Sequence, residues 1–94
     1  MVCKETFFSD HAISQMFKRG ISVNIVKFVI ENGEVIIEYP NDRPYPSLLI
    51  LHFIDTRPLH VVLGKDDEFG KCIVITAYEP DVNLWEAGFK LKRK

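Results

Sequence analysis

Arg57 and His60, three positions apart, and Thr76 and Tyr78, two apart, are the side chains of this sequence best suited to act on a phosphodiester. An arginine is an obligate cation, an imidazole titrates near neutrality, and the two hydroxyls can donate and accept hydrogen bonds. Metal-free RNA cleavage needs that inventory. One group takes the proton of a 2′-hydroxyl, another protonates the leaving oxygen, and a cation stabilises the charged phosphorane. Arg57 and His60 fit the cationic and acid-base roles, and Tyr78 could position the phosphate or stack on a base. The bland account stands beside this one, because a lone histidine in a strand is more often a packed or hydrogen-bonded residue.

The other reactive side chains carry less. His11 sits beside Asp10 in a first helical turn, where a surface histidine with a structural hydrogen bond is the commoner arrangement. His11, His60 and Cys72 lack the short spacing of zinc ligands, so neither metal nor cofactor is expected. Cys3 and Cys72 form no cysteine framework; reduced thiols are the default, Cys72 reads as a small core residue, and folding is expected to need no disulfide. Trp85 reads as a lid on the core, and Pro40, Pro44 and Pro46 as residues shaping a loop. A phosphate-cradling glycine loop, a nucleophile elbow and an H-E-x-x-H helix are all missing.

Two short helices and a run of strands must position these groups. Ser9 can cap a helix with Asp10 in its first turn, Ala12, Ile13, Met16 and Phe17 on one face, Lys18 and Arg19 in its last turn, and Gly20 as its stop. Ser22 starts a second helix, whose stripe of Ile25, Val26, Val29 and Ile30 ends at Asn32-Gly33. From Glu34 the period changes to two. Val35, Ile37 and Tyr39 alternate with Glu34 and Glu38 as in an edge strand; Ser47 to Ile54 is nearly all apolar, as in a central one. Further strands are predicted at Leu59 to Leu63 and Cys72 to Tyr78. The expected fold is α+β, two N-terminal helices on a four-stranded antiparallel sheet, with Leu49, Leu51, Phe53, Val61, Ile73 and Ile75 buried.

Register decides which polar groups share a face. A turn centred on Glu68 places His60 opposite Thr76 and Pro58 opposite Tyr78, so that His60, Thr76 and Tyr78 share one face. A turn between Thr56 and Arg57 pairs Phe53 with His60 and His52 with Val61, leaving His52 on the other face.

Ninety-four residues, 47% of them hydrophobic, suit one domain spanning 1–94. The formal net charge of -1 excludes a surface that is basic throughout, although Lys90, Lys92, Arg93 and Lys94 form a basic tail that solubilises the end or meets a phosphate or acidic partner. No apolar run approaches the roughly 18 to 20 residues of a membrane helix. The first residues lack the pattern of a secretory signal, so a cytoplasmic protein with no membrane association is expected.

Six segments carry a resemblance: H-A-x-x-x-M-x-x-R-G-I at His11 to Ile21, N-G-E at Asn32 to Glu34, Y-P at Tyr39-Pro40, R-P-Y-P at Arg43 to Pro46, R-P-L-H-V-V at Arg57 to Val62, and T-x-Y-x-P with a following tryptophan at Thr76 to Trp85. Over roughly positions 10 to 90 the chain resembles the domain of unknown function 4258 family. That resemblance implies a toxin-like protein paired with a small antitoxin, in some cases a zinc-finger protein of the YgiT type, and a layout similar to the BrnT and RelE-like toxins. Those are small endoribonucleases that cut messenger RNA without a metal. Carried over motif by motif, it implies Arg57, His60 and Tyr78 as catalytic residues and His11, Arg19 and Thr76 as RNA-binding ones. Gln15 departs from the pattern, standing where family members often have a basic residue. The leading strand of RelE-like folds has only Cys3 to Phe8 as a weak candidate. The alternative is a non-catalytic module that binds an antitoxin-like or other protein partner.

Overall fold

Ser9 and Gly20 bound the first helix as the spacing predicts. In the computed structural model, which describes residues 2–94, the Ser9 hydroxyl accepts the Ala12 N–H and Gly20 adopts φ 66°, its N–H directed at the carbonyls of Met16 and Phe17. This is α1 (Asp10–Arg19). Ser22 caps α2 (Val23–Asn32) by accepting the Ile25 N–H. Of the four residues expected on the buried face of α1, Ala12 and Met16 are buried, while Ile13 is 43% and Phe17 88% exposed. The helix buries a narrow stripe only, because it packs on one strand near the sheet edge.

A strand precedes the helices. β1 (Glu5–Phe8) is followed, after α2, by β2 (Glu34–Tyr39), β3 (Ser47–Ile54), β4 (Arg57–Asp66) and β5 (Lys71–Tyr78). The sheet order is β1-β5-β4-β3-β2, antiparallel except that β1 runs parallel to β5. The expected four-stranded antiparallel sheet is thereby corrected to a five-stranded mixed one, within the same α+β class. β2 to β5 are the expected meander, with β2 at one edge; β1 returns through both helices and adds the parallel pair at the other.

The helices cover one face of the sheet. Their stripe, Ala12, Met16, Val26, Val29 and Ile30, meets Ile50, Leu59, Val61, Leu63, Cys72, Val74 and Ala77 in the principal core. Gly33 makes the passage from α2 to β2 possible: a Cβ there would lie 2.5 Å from the Val29 carbonyl oxygen and 2.6 Å from Ile50 Cγ2. The second face is covered at one end by the C-terminal segment after Pro80, here called the strap, and at the other by the loop through Tyr45. Between them Leu49 and Leu51 are buried as expected, but Phe53 and Ile75 are 41% and 40% exposed and Ile73 is half-buried. Phe53 lies near the strand end, and Ile75 sits in a bulge of β5 opposite Val62 and Leu63.

Cys3 and Cys72 are joined by a disulfide, which overturns the expectation of two free thiols. Cys72 is the second residue of β5 and Thr6 of β1 lies beside it, so the parallel pairing brings Cys3 within reach at a Cα–Cα separation of 5.7 Å. Among the described residues no group of acidic, histidine and cysteine side chains could hold a metal, and no helix is long and apolar enough to cross a membrane.

Candidate functional site

Each expected strand pairing is displaced by two residues: His60 pairs with Tyr78 and with Leu51, Val62 with Thr76, His52 with Leu59 and Phe53 with Pro58. Side chains alternate with a period of two, so a displacement of two preserves every face assignment. His60, Thr76 and Tyr78 share the face under the strap. His52 lies on the helical face, 5.4 Å from the Phe28 ring.

At the end of β5 an open cleft of about 580 Å³ is lined by Arg19, Arg57, Tyr78, Glu79, Asp81, Leu84, Trp85 and Lys92. Arg19 arrives from the last turn of α1, where its Nη1 donates to the Ala77 carbonyl at 2.9 Å and to Thr76 Oγ1 at 3.3 Å. Arg57 opens β4 after a two-residue turn in which Asp55 takes φ 57°. Its Nε donates to Glu79 Oε2 at 3.0 Å, and its Nη2 reaches the Arg19 carbonyl at 3.5 Å. The Arg57–Glu79 pair is solvent-exposed and therefore worth little, well under what an incoming phosphate could contribute to Arg57.

His60 lies beneath this cleft, fully buried. Its ring meets Trp85 edge-on at 4.6 Å between centroids and Tyr78 at 5.3 Å. Nε2 is 2.9 Å from the Phe89 carbonyl oxygen, which can only accept, so the proton of a neutral ring belongs on Nε2 and Nδ1 accepts from the Tyr78 hydroxyl at 3.3 Å. Burial lowers the His60 pKa below its ordinary value, with the Phe89 hydrogen bond opposing, and the ring is held neutral. Burial likewise pushes the Tyr78 phenol up, and the Arg19 charge partly offsets it. The phenol therefore keeps its proton at neutral pH.

The strap makes this arrangement. Gly88 and Phe89 take φ 89° and 61°, turning the Phe89 carbonyl onto His60. Phe89 also packs edge-on against Phe53 at 6.2 Å, Lys90 pairs with Glu34 at 2.9 Å, and the strap closes on itself through Glu86 N–H to Leu91 and Arg93 N–H to Leu84. Lys92 Nζ lies 5.8 Å from the Trp85 ring centroid, which turns one residue of the basic tail toward the cleft.

Of the six site residues expected from the sequence, Arg19, Arg57 and Tyr78 line the cleft and Thr76 borders it through Arg19. His60 has no surface on it and touches two residues that line it, Tyr78 by a hydrogen bond and Trp85 by ring packing. His11 lies in the first turn of α1, about 12 Å along the helix axis from Arg19, and does not line the cleft. The sequence reading missed Glu79 and Asp81 as site residues, although Glu79-Pro80-Asp81 directly follows Tyr78 and a proline flanked by acids at a strand end is a visible signal.

A family model described as Domain of unknown function (DUF4258) matches residues 8–79. No curated protein and no solved structure matches the chain.

Proposed function

The chain belongs to the DUF4258 family, and from that premise we propose that it is the toxin component of a toxin-antitoxin pair, a small metal-independent endoribonuclease acting on messenger RNA in the cytoplasm. The observation that carries this reading is the convergence of Arg19, Arg57 and Tyr78, from three separate elements, on one cleft that also holds a carboxylate. Arg19 and Arg57 stabilise the charge of the phosphorane. Glu79, oriented by Arg57, takes the proton of the 2′-hydroxyl as that oxygen attacks phosphorus. Tyr78, protonated at neutral pH, gives its proton to the departing 5′-oxygen, and a 2′,3′-cyclic phosphate remains. In the resting state His60 Nδ1 holds that phenol, and a substrate oxygen competes with it for the same hydrogen.

Labelled single-stranded RNA incubated with purified protein in chelator tests the reading. Products ending in 2′,3′-cyclic phosphate are expected, and removing Arg57 should slow their release by on the order of a hundredfold. Expression alone should arrest bacterial growth, with rescue by the product of a neighbouring small reading frame. Wild-type protein that leaves RNA intact with and without ribosomes would remove the enzyme reading. The second reading, a non-catalytic module for a protein partner, draws on Phe17, 88% exposed on α1 with Ile13 one turn before it.

A further inference from the structure

The strap and the Tyr45 loop leave part of the second sheet face bare, and that part is aromatic. Phe7 of β1 pairs in register with Ile73 of β5, placing both on this face. Phe7 is 45%, Phe69 60% and Ile75 40% exposed. Lys71 Nζ sits 5.7 Å from the ring centroids of both Phe7 and Phe69, a cation held between two uncovered rings. Beside them a hollow of about 120 Å³ opens between Tyr45, Arg43, Ile73 and Ile75. Gly64 forms its floor, and the lack of a side chain there keeps it open.

We propose that this face, Phe7, Phe69, Ile75 and Tyr45 with Lys71 and Arg43, is a stacking surface for the bases of single-stranded RNA whose scissile phosphate lies in the Arg19–Arg57 cleft. The inference rests on the ribonuclease reading and adds to it where the rest of the substrate goes. Exposed rings offer flat apolar area to any base, and interleaved cations meet the phosphates between them. The surface is continuous with the cleft: β5 runs from Ile73 through Thr76 to Tyr78, roughly 16 Å at about 3.3 Å per residue, a distance a few nucleotides span. The β5 bulge turns both Ile75 and Thr76 toward this face, joining the apolar part to the hydroxyl that Arg19 contacts. Glu5 and Asp66 flank Lys71 in register on the two neighbouring strands, but neither forms an ion pair with it, so the ammonium is open to a phosphate of an RNA backbone, whereas an apolar protein partner would desolvate it.

Binding of two probes separates this surface from the cleft. A fluorescent 2′-O-methyl octanucleotide, which cannot be cleaved, reaches both; a 2′-O-methyl dinucleotide reaches the cleft only. Phe7→Ala with Phe69→Ala removes rings already exposed, and an unchanged urea midpoint verifies the fold. The double variant should bind the octanucleotide about tenfold or more weakly, while binding of the 2′-O-methyl dinucleotide and cleavage of an unmodified ribodinucleotide stay at the wild-type level. Equal octanucleotide affinity for variant and wild type, with the dinucleotide still bound, overturns the stacking surface and leaves the cleft reading standing. Failure of the wild type to bind either probe removes both. A variant that keeps its octanucleotide affinity but loses self-association or a co-purifying protein in sedimentation assigns the face to protein contact and overturns the proposal.

Discussion

Reducing the Cys3–Cys72 bond should cost this domain much of its stability. The bond closes a loop across a sequence separation of 69. Opening it returns conformational freedom to the unfolded chain, and the chain-entropy relation puts the gain at about 4.4 kcal/mol at room temperature for a loop of that size. That figure is a ceiling. β1 rests on four register pairs with β5, so in the reduced protein it can fray and regain some freedom in the native state too. A loss of about 2 to 4 kcal/mol is therefore expected. For a chain of 94 residues with an unfolding entropy near 2.1 cal/mol/K per residue, this is a fall in melting temperature of roughly 10 to 20 °C. Trp85, the single tryptophan and 4% exposed, reports unfolding by fluorescence in urea with and without reductant. Cys3→Ser should reproduce the reduced protein, because serine is close to cysteine in size and Cys3 is only partly buried. If both the reduced protein and the serine variant lose less than about 1 kcal/mol with an unchanged denaturant slope, the cross-link does not restrain the unfolded chain and the reasoning fails.

Tyr78→Phe should leave the fold intact and slow RNA cleavage by about 10² or more, the range of general acid assistance; equal rates in a single-turnover assay would exclude the phenol as the proton donor. His60→Gln tests the neutral imidazole. Burial lowers the His60 pKa from 6.5, so the unfolded chain takes up a proton that the native state resists: the stability His60 contributes is whole above about pH 6.5 and is lost as pH falls through the depressed pKa. The unfolding free energy of wild type should thus approach that of the variant between pH 7 and pH 5, and a constant gap would contradict it. Gly33→Ala should lose about 3 kcal/mol or fail to fold, because two of the three atoms nearest the new methyl are backbone carbonyl oxygens that cannot move aside; a wild-type urea midpoint would refute the close approach.

The caps of both helices were legible in the sequence because they are local: Ser9, Gly20 and Ser22 each act within four residues of themselves. Face assignment was legible for a different reason, since an error of two residues in register is invisible to side-chain alternation. β1 was not. Its four residues are too few to show a period, and its partner lies 66 positions away, from Glu5 to Lys71. The disulfide was hidden with it, as its geometry exists only once β1 is paired. The sealing of His60 was equally remote, because the strap that covers it has no repeating pattern and is held by single contacts, Phe89 on Phe53 and Lys90 on Glu34. Of the candidate site, the arginines and the tyrosine could be read from residue type and the carboxylates carried a visible signal after Tyr78, whereas the sealing of the histidine by the strap could not be read.

Arg19 has a second consequence. β1 accompanies β5 only as far as Val74, and the stretch from Ile75 to Tyr78 continues without a neighbouring strand on that side. The Arg19 guanidinium occupies the Ala77 carbonyl there, an acceptor on which a foreign strand could otherwise begin to add. One side chain thus guards an open seam of the sheet and walls the cleft. Only Nη1 is engaged on Thr76 and Ala77, so the donors on Nε and Nη2 remain for the cleft while the guard stays in place.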